Sequence, residues 1–138
     1  MMVKSFRKFV SSALFFLSSS VISLSLVAQA NNVGEDVKNY QRQLSEVEQS
    51  DGPFGSALIE PLAGLVSAYQ KDGNYSSALD EQRRLIQIVR TEYGFSNLKL
   101  LPLLRTQLEI ELLLGETDSV SDIFDHMRFV QSSAGDET

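Results

Sequence analysis

Residues 62–78 read LAGLVSAYQKDGNYSSA, and 42 residues further on, residues 104–120 read LRTQLEIELLLGETDSV. In one frame Leu62, Leu65, Tyr69, Gly73, Tyr75 and Ala78 meet Leu104, Gln107, Glu111, Gly115, Thr117 and Val120. The frame continues from Leu85 and Ile88 to Met127 and Val130, and Glu60-Pro61-Leu62 is echoed by Leu101-Pro102-Leu103. A segment recurring at a fixed period of this size is one supersecondary unit stacked on itself. Such stacks serve as binding surfaces far more often than as catalysts.

Outward from this pair the apolar spacing is helical, and no segment alternates with the period of two that marks a strand. Residues 31–35 are expected to be a polar lead-in, after which Val37, Tyr40, Leu44 and Val47 form an amphipathic stripe ended by Asp51-Gly52-Pro53. Leu58, Leu62, Leu65, Val66 and Tyr69 form a second. Pro61 is confined to its first turn, because deeper inside it would clash and remove a hydrogen bond. Tyr75, Ala78, Leu79, Leu85, Ile86, Val89 and Tyr93 form a third stripe, closed by Gly94, with Asn74 placed to cap its start. A fourth helix is expected from about Leu98 to Leu114, stopped by Gly115. A fifth follows Thr117, its expected cap, and carries Val120, Ile123, Phe124, Met127 and Val130. The short turns within each pair force antiparallel hairpins. The expected fold is all-α, with antiparallel helical hairpins stacked as a short solenoid of five helices, two hairpins preceded by half of one. It occupies residues 31–130, and residues 131–138 are a polar tail expected to fray.

The opening 30 residues have a different character. Lys4, Arg7 and Lys8 precede an apolar, Ser-rich run from Phe9 to Val27 that ends in Ala28-Gln29-Ala30, the small-x-small pattern of a signal-peptidase site. Residues 1–30 are therefore expected to be an export signal, with a mature start near Asn31 in the periplasm or outside the cell. A retained membrane anchor is the competing reading. Seven serines in the run, and no basic residue directly after it, favour removal over stable membrane insertion. Without Lys4, Arg7 and Lys8, the 12 Lys and Arg fall to 9 against 18 Asp and Glu, a net charge of −9. That balance excludes the clustered cations which nucleic-acid backbones require. The chain has no Cys, which removes disulfides, thiol catalysis and thiolate metal sites.

The phrase Leu62-x2-Leu65-x3-Tyr69-x3-Gly73-x-Tyr75-x2-Ala78 resembles the tetratricopeptide repeat in its longer form of about 42 residues. Leu-x-Pro-Leu-Leu, here Leu100 to Leu104, resembles a phrase of exported bacterial repeat proteins of this kind. The likeness covers about residues 37–130, and the second hairpin departs from the pattern at Gln107, Glu111, Thr117 and Val120. The resemblance implies a scaffold that holds a peptide or protein segment in a groove lined by the first helix of each pair. Carried over residue by residue, the groove positions are Ala63, Ser67, Gln70 and Lys71 on one hairpin and Arg105, Glu109 and Leu112 on the other. Lys71 and Arg105 are cations on an acidic protein. Either can take a partner's carboxylate, Arg through two parallel hydrogen bonds. As ordinary solvated side chains they would contribute little.

Signals for chemistry are few. His126 is the single His, and no nucleophile stands near it in sequence. Asp118, Asp122 and Asp125 share one face of the last helix, but a calcium site wants six or more oxygens from a bent loop. There is no phosphate loop, nucleophile elbow or His-Glu-x-x-His pair. No enzyme activity, cofactor or metal is expected. The last helix carries Phe124, Met127, Phe129 and Val130 on more than one side, with no further helix to cover them. Either the hairpins fold over one another to hide these groups, or another surface covers them, a second copy in a symmetric homodimer or a neighbour in an envelope assembly. Two functions follow as expectations: an adaptor holding a protein or peptide in its groove, or a structural subunit that oligomerises through its last helix.

Overall fold

The structure, a computed structural model, describes residues 19–135. Its described residues form five α-helices and no strand. These are α1 (Ser19–Asp51), α2 (Ile59–Lys71) with a lead-in 3-10 turn at Ser56–Leu58, α3 (Tyr75–Tyr93), α4 (Leu100–Leu114) and α5 (Val120–Gly135). The chain divides into two compact units, Met1–Asn32 and Val33–Thr138. In the first unit the described part is the opening of α1, and residues 1–18 of the expected export signal lie outside the described residues. No helix among the described residues is long and apolar enough to cross a membrane. The second unit is the all-α repeat domain, and its first residue, Val33, stands 42 residues before Tyr75, where α3 begins.

Local chemistry explains the helix ends. Pro61 and Pro102 each take the third position of their helix, where an amide has no partner inside the helix to lose. Asn74 caps α3, its side-chain oxygen accepting from the Ser77 amide at 3.3 Å. Gly52, Gly73, Gly94 and Gly115 all hold positive φ, at 81°, 73°, 92° and 75°. That region is open to glycine and costly to residues with a Cβ. Their numbers step by 21, so each of α1 to α4, not each hairpin, closes on the same device.

Three expected boundaries are corrected. α1 runs through residues 31–35, the polar stretch expected to precede it. The Thr117 side chain does not cap α5. Instead the Thr117 carbonyl accepts from the Val120 amide at 3.3 Å, while the Ser119 hydroxyl turns to Glu111. α5 also continues to Gly135, through residues expected to belong to the tail. The hydroxyls of Ser132 and Ser133 are satisfied within that helix, each donating to the Phe129 carbonyl at 2.9 Å.

Successive helices pack on one another, α2 on α3, α3 on α4 and α4 on α5. One apolar core joins Leu58, Leu62 and Leu65 to Leu85, Ile86, Ile88 and Val89, to Leu100 and Leu104, and to Ile123 and Val130. Within the domain α1 adds Leu44 to this core, with Val37, Tyr40 and Val47 packed partly against it. The Tyr40 ring takes the space that a Cβ at Gly64 would fill, coming within 2.7 Å at Cδ1 and closer at Cε1 and Cζ. Gln41 donates to the Tyr69 hydroxyl at 3.0 Å, and Arg84 binds both Glu48 and the Pro53 carbonyl. These contacts seat α1 on α2 and α3.

Candidate functional site

The residues carried over to the groove positions lie on the faces of α2 and α4 that the core does not use. Ala63, Ser67, Lys71, Arg105 and Glu109 are exposed, Gln70 is half-buried, and Leu112 is exposed. Ser67, Gln70 and Lys71 share α2, while Arg105, Glu109 and Leu112 fall at helical spacing on α4. Both helices pack on α3, and no hydrogen bond or ion pair among the described residues links the two sets. Lys71 and Arg105 differ from most arginines here. Arg83 pairs with Glu111 and Glu116, Arg84 with Glu48 and Glu81, and Arg128 with Asp125. Lys71 and Arg105 have no carboxylate of the described residues within ion-pair range, so their charges are free to meet one from elsewhere.

The four apolar residues singled out on α5 separate into two groups. Val130 is fully buried and Met127 packs partly against the core, so neither belongs to an exposed patch. Phe124 and Phe129 are about half exposed, and Phe129 leans on Phe95 with ring centroids 5.7 Å apart. Comparison of the repeats shows what α5 turns outward where α3 buries a second stripe. Leu79, Gln82 and Ile86 are buried on α3, where Gln82 donates to the Leu103 carbonyl of α4 at 2.6 Å. Forty-two residues on, Ser121, Phe124 and Arg128 take these positions on α5, and all three are exposed. At the other end, the buried Ala78, Leu85 and Ile88 correspond to Asp36, Gln43 and Glu46 on α1, none of which is buried. Each end helix therefore buries one stripe where α3 buries two, as terminal units of a stack do.

Two of the departures from the repeat pattern in the second hairpin, Gln107 and Glu111, belong to a polar cluster that the spacing did not reveal. Glu111, the counterpart of Tyr69, is fully buried. It accepts from Gln107 at 2.8 Å, from Arg83 at 3.2 Å and from Ser119. Burial alone would raise its carboxyl. The hydrogen bonds from Gln107, Ser119 and Arg83, with the Arg83 charge, outweigh that and hold it below the usual carboxylate range. A second unforeseen cluster joins Arg90, Phe95 and His126, and burial lowers the Arg90 guanidinium from its ordinary value. A shallow cavity of about 270 Å³ opens beside it, lined by Tyr93, Ser96, Asn97, Leu98, Ser133 and Ala134. Among the described residues no group of three or more His, Asp or Glu is placed to hold a metal ion. Asp118, Asp122 and Asp125 are not drawn together.

No protein-family model, no curated protein and no solved structure matches this chain.

Proposed function

We propose that this chain is an exported, non-enzymatic protein–protein interaction module, an adaptor that holds a peptide or protein segment against α2 and α4. The observation that carries this reading is the pair of unpaired cations, Lys71 and Arg105, on exposed faces of the first helix of each hairpin. Arg83, Arg84 and Arg128 are held in ion pairs, while Lys38, Arg42, Lys71, Arg90, Lys99 and Arg105 make none among the described residues. Of these, Lys71 and Arg105 are the two on the groove faces of α2 and α4, in reserve for a carboxylate. Ser67, Gln70 and Glu109 beside them supply further hydrogen-bonding groups. The resemblance to tetratricopeptide repeats supports the same surface, and the amino-terminal pattern supports export to the periplasm or beyond. With two such helices the surface is small, so the affinity is modest.

Exposed Phe124 favours a second reading, a subunit of a cell-envelope assembly that oligomerises through α5. The polar Ser121 and Arg128 that share its face of the repeat frame weigh against it.

Photo-crosslinking separates the two. A photoreactive side chain at Ser67 should capture a distinct protein in the native envelope, and Lys71→Glu with Arg105→Glu should abolish that adduct. Adducts formed only from Phe124, and only with further copies of the chain, would remove the adaptor reading in favour of the second.

A further inference from the structure

His126 lies in the middle of α5 and is 7% exposed. Both ring nitrogens are engaged. Nδ1 is 2.8 Å from Nη2 of Arg90 on α3, and Nε2 is 3.0 Å from the Phe95 carbonyl in the α3–α4 connection. A guanidinium can only donate and a carbonyl can only accept. Nδ1 is therefore bare and Nε2 carries the hydrogen, which defines one neutral tautomer. The imidazole stacks on the Phe95 ring, centroids 4.0 Å apart and planes 16° from parallel. The Arg90 guanidinium carbon lies 4.9 Å from the centroid of that same ring. The buried Nε of Arg90 has no partner.

A proton added at Nδ1 removes the acceptor for Arg90 and sets N–H against N–H, with two cations in contact. Little nearby can compensate. The charged or titratable groups around this junction are Arg90, Glu92 and Tyr93 on α3, Lys99 ahead of α4, and Asp122, Asp125 and Arg128 on α5 itself. Asp125 pairs with Arg128, and Lys99 sits over the Tyr93 ring. On α4, Arg105 and Glu109 are exposed, and Glu111 is held by Arg83, Gln107 and Ser119. No carboxylate of the described residues comes within 4.0 Å of the imidazole or of Arg90. A charged ring would gain from lying on Phe95, but Arg90 already uses that ring, and repulsion between touching cations away from bulk water is the larger effect.

We propose that His126 is a proton-operated latch. Neutral, it fastens α5 to α3 and to the α3–α4 connection. Protonated, it frees α5 and uncovers the apolar surface beneath Ile123 and Val130. Imidazole is the side chain whose charge changes in mildly acidic solution, where Asp and Glu are still ionised. The latch would thus tie the shape of the carboxy-terminal hairpin to the acidity of the surroundings, and this holds whether or not α2 and α4 bind a partner.

Amide hydrogen exchange of the full chain, resolved helix by helix at pH 7.5 and 5.5 and corrected for intrinsic exchange, tests the latch. Protection of α5 should fall severalfold, by up to about tenfold, at the lower pH while that of α2 holds. His126→Gln should keep α5 protected at both, because the amide accepts from Arg90 and donates to the Phe95 carbonyl without titrating. Nitrogen NMR of the single imidazole should show the Nε2–H tautomer at pH 7.5. The proposal is overturned by unchanged α5 protection in the wild type, by a parallel loss in His126→Gln, by an equal loss in α2, or by the Nδ1–H tautomer. Should His126→Gln not fold, Arg90→Met carries the same test. With the cation gone, α5 protection should no longer respond to pH, and a response as large as in the wild type would sink the idea.

Discussion

The Tyr40 ring occupies the space where a Cβ on Gly64 would stand, so α1 seats on α2 only because residue 64 has no side chain. Gly64→Ala would gain helix propensity of up to about 1 kcal/mol and lose about 1–3 kcal/mol to overpacking. A net destabilisation is expected in urea unfolding. In a Tyr40→Ala background the same substitution should turn neutral or favourable, a coupling that a double-mutant cycle measures directly.

Glu111→Ala should cost about 2–4 kcal/mol, because it opens a cavity and leaves the Gln107, Ser119 and Arg83 donors without their acceptor. The figure stays below that of a fully buried ion pair because Arg83 is about half exposed.

The same residue sets an acid dependence. Its carboxyl is held below the usual range in the folded chain, so the unfolded chain takes the proton first as acid is added. Its stabilising effect is complete above the ordinary carboxylate value of about 4.3 and is lost as pH falls through the folded value. Glu81 works in the opposite sense. Burial raises its carboxyl despite the Arg84 charge, so its contribution improves as pH falls through that raised value. Thermal midpoints between pH 6 and pH 3 should decline less steeply in Glu111→Gln than in the wild type.

The two turns within hairpins should respond differently to loss of a polar side chain. Asn74→Ala removes a cap bond and should cost about 1 kcal/mol. Thr117→Ala should fall within about 0.5 kcal/mol of the wild type, because its carbonyl and not its hydroxyl meets α5. Chemical denaturation of the two variants side by side checks the contrast.

Polar residues keep the ends of the stack from taking another unit. Ser121→Leu with Arg128→Ile restores the pattern of Leu79 and Ile86 around Phe124. Sedimentation should then show stronger concentration-dependent association than the wild type does, through an apolar end face.

Much of this was legible in the sequence because the 42-residue frame, two early prolines and a glycine after each stripe all mark helix ends. α2, α3 and α4 begin and end close to where those signals put them. What stayed hidden depends on which residues meet across helices. Glu111 reads only as a departure from the repeat pattern until Arg83, 28 residues away, and Ser119 are seen to reach it. His126 reads as isolated because Arg90 and Phe95 lie 36 and 31 residues back. Phe124 and Val130 are both apolar residues of one helix, and the sequence alone does not say that one faces solvent and the other the core. The serines of residues 131–135 read as tail composition because their bonds are local to a helix not yet known to be there. At the candidate surface, exposure of Lys71 and Arg105 followed from the frame, but their freedom from ion pairs became visible only once the carboxylates that hold Arg83, Arg84 and Arg128 were placed.

Because α2 packs on α3, α3 on α4 and α4 on α5, the contacts that define the fold join neighbours in sequence. Closing them demands little chain entropy, and topologies of this kind fold quickly for that reason. A chain emerging amino-terminus first through a narrow passage could therefore be built helix by helix as it appears. Each new segment would find its partner already in place, with no distant strand to await and little apolar surface left uncovered on the way.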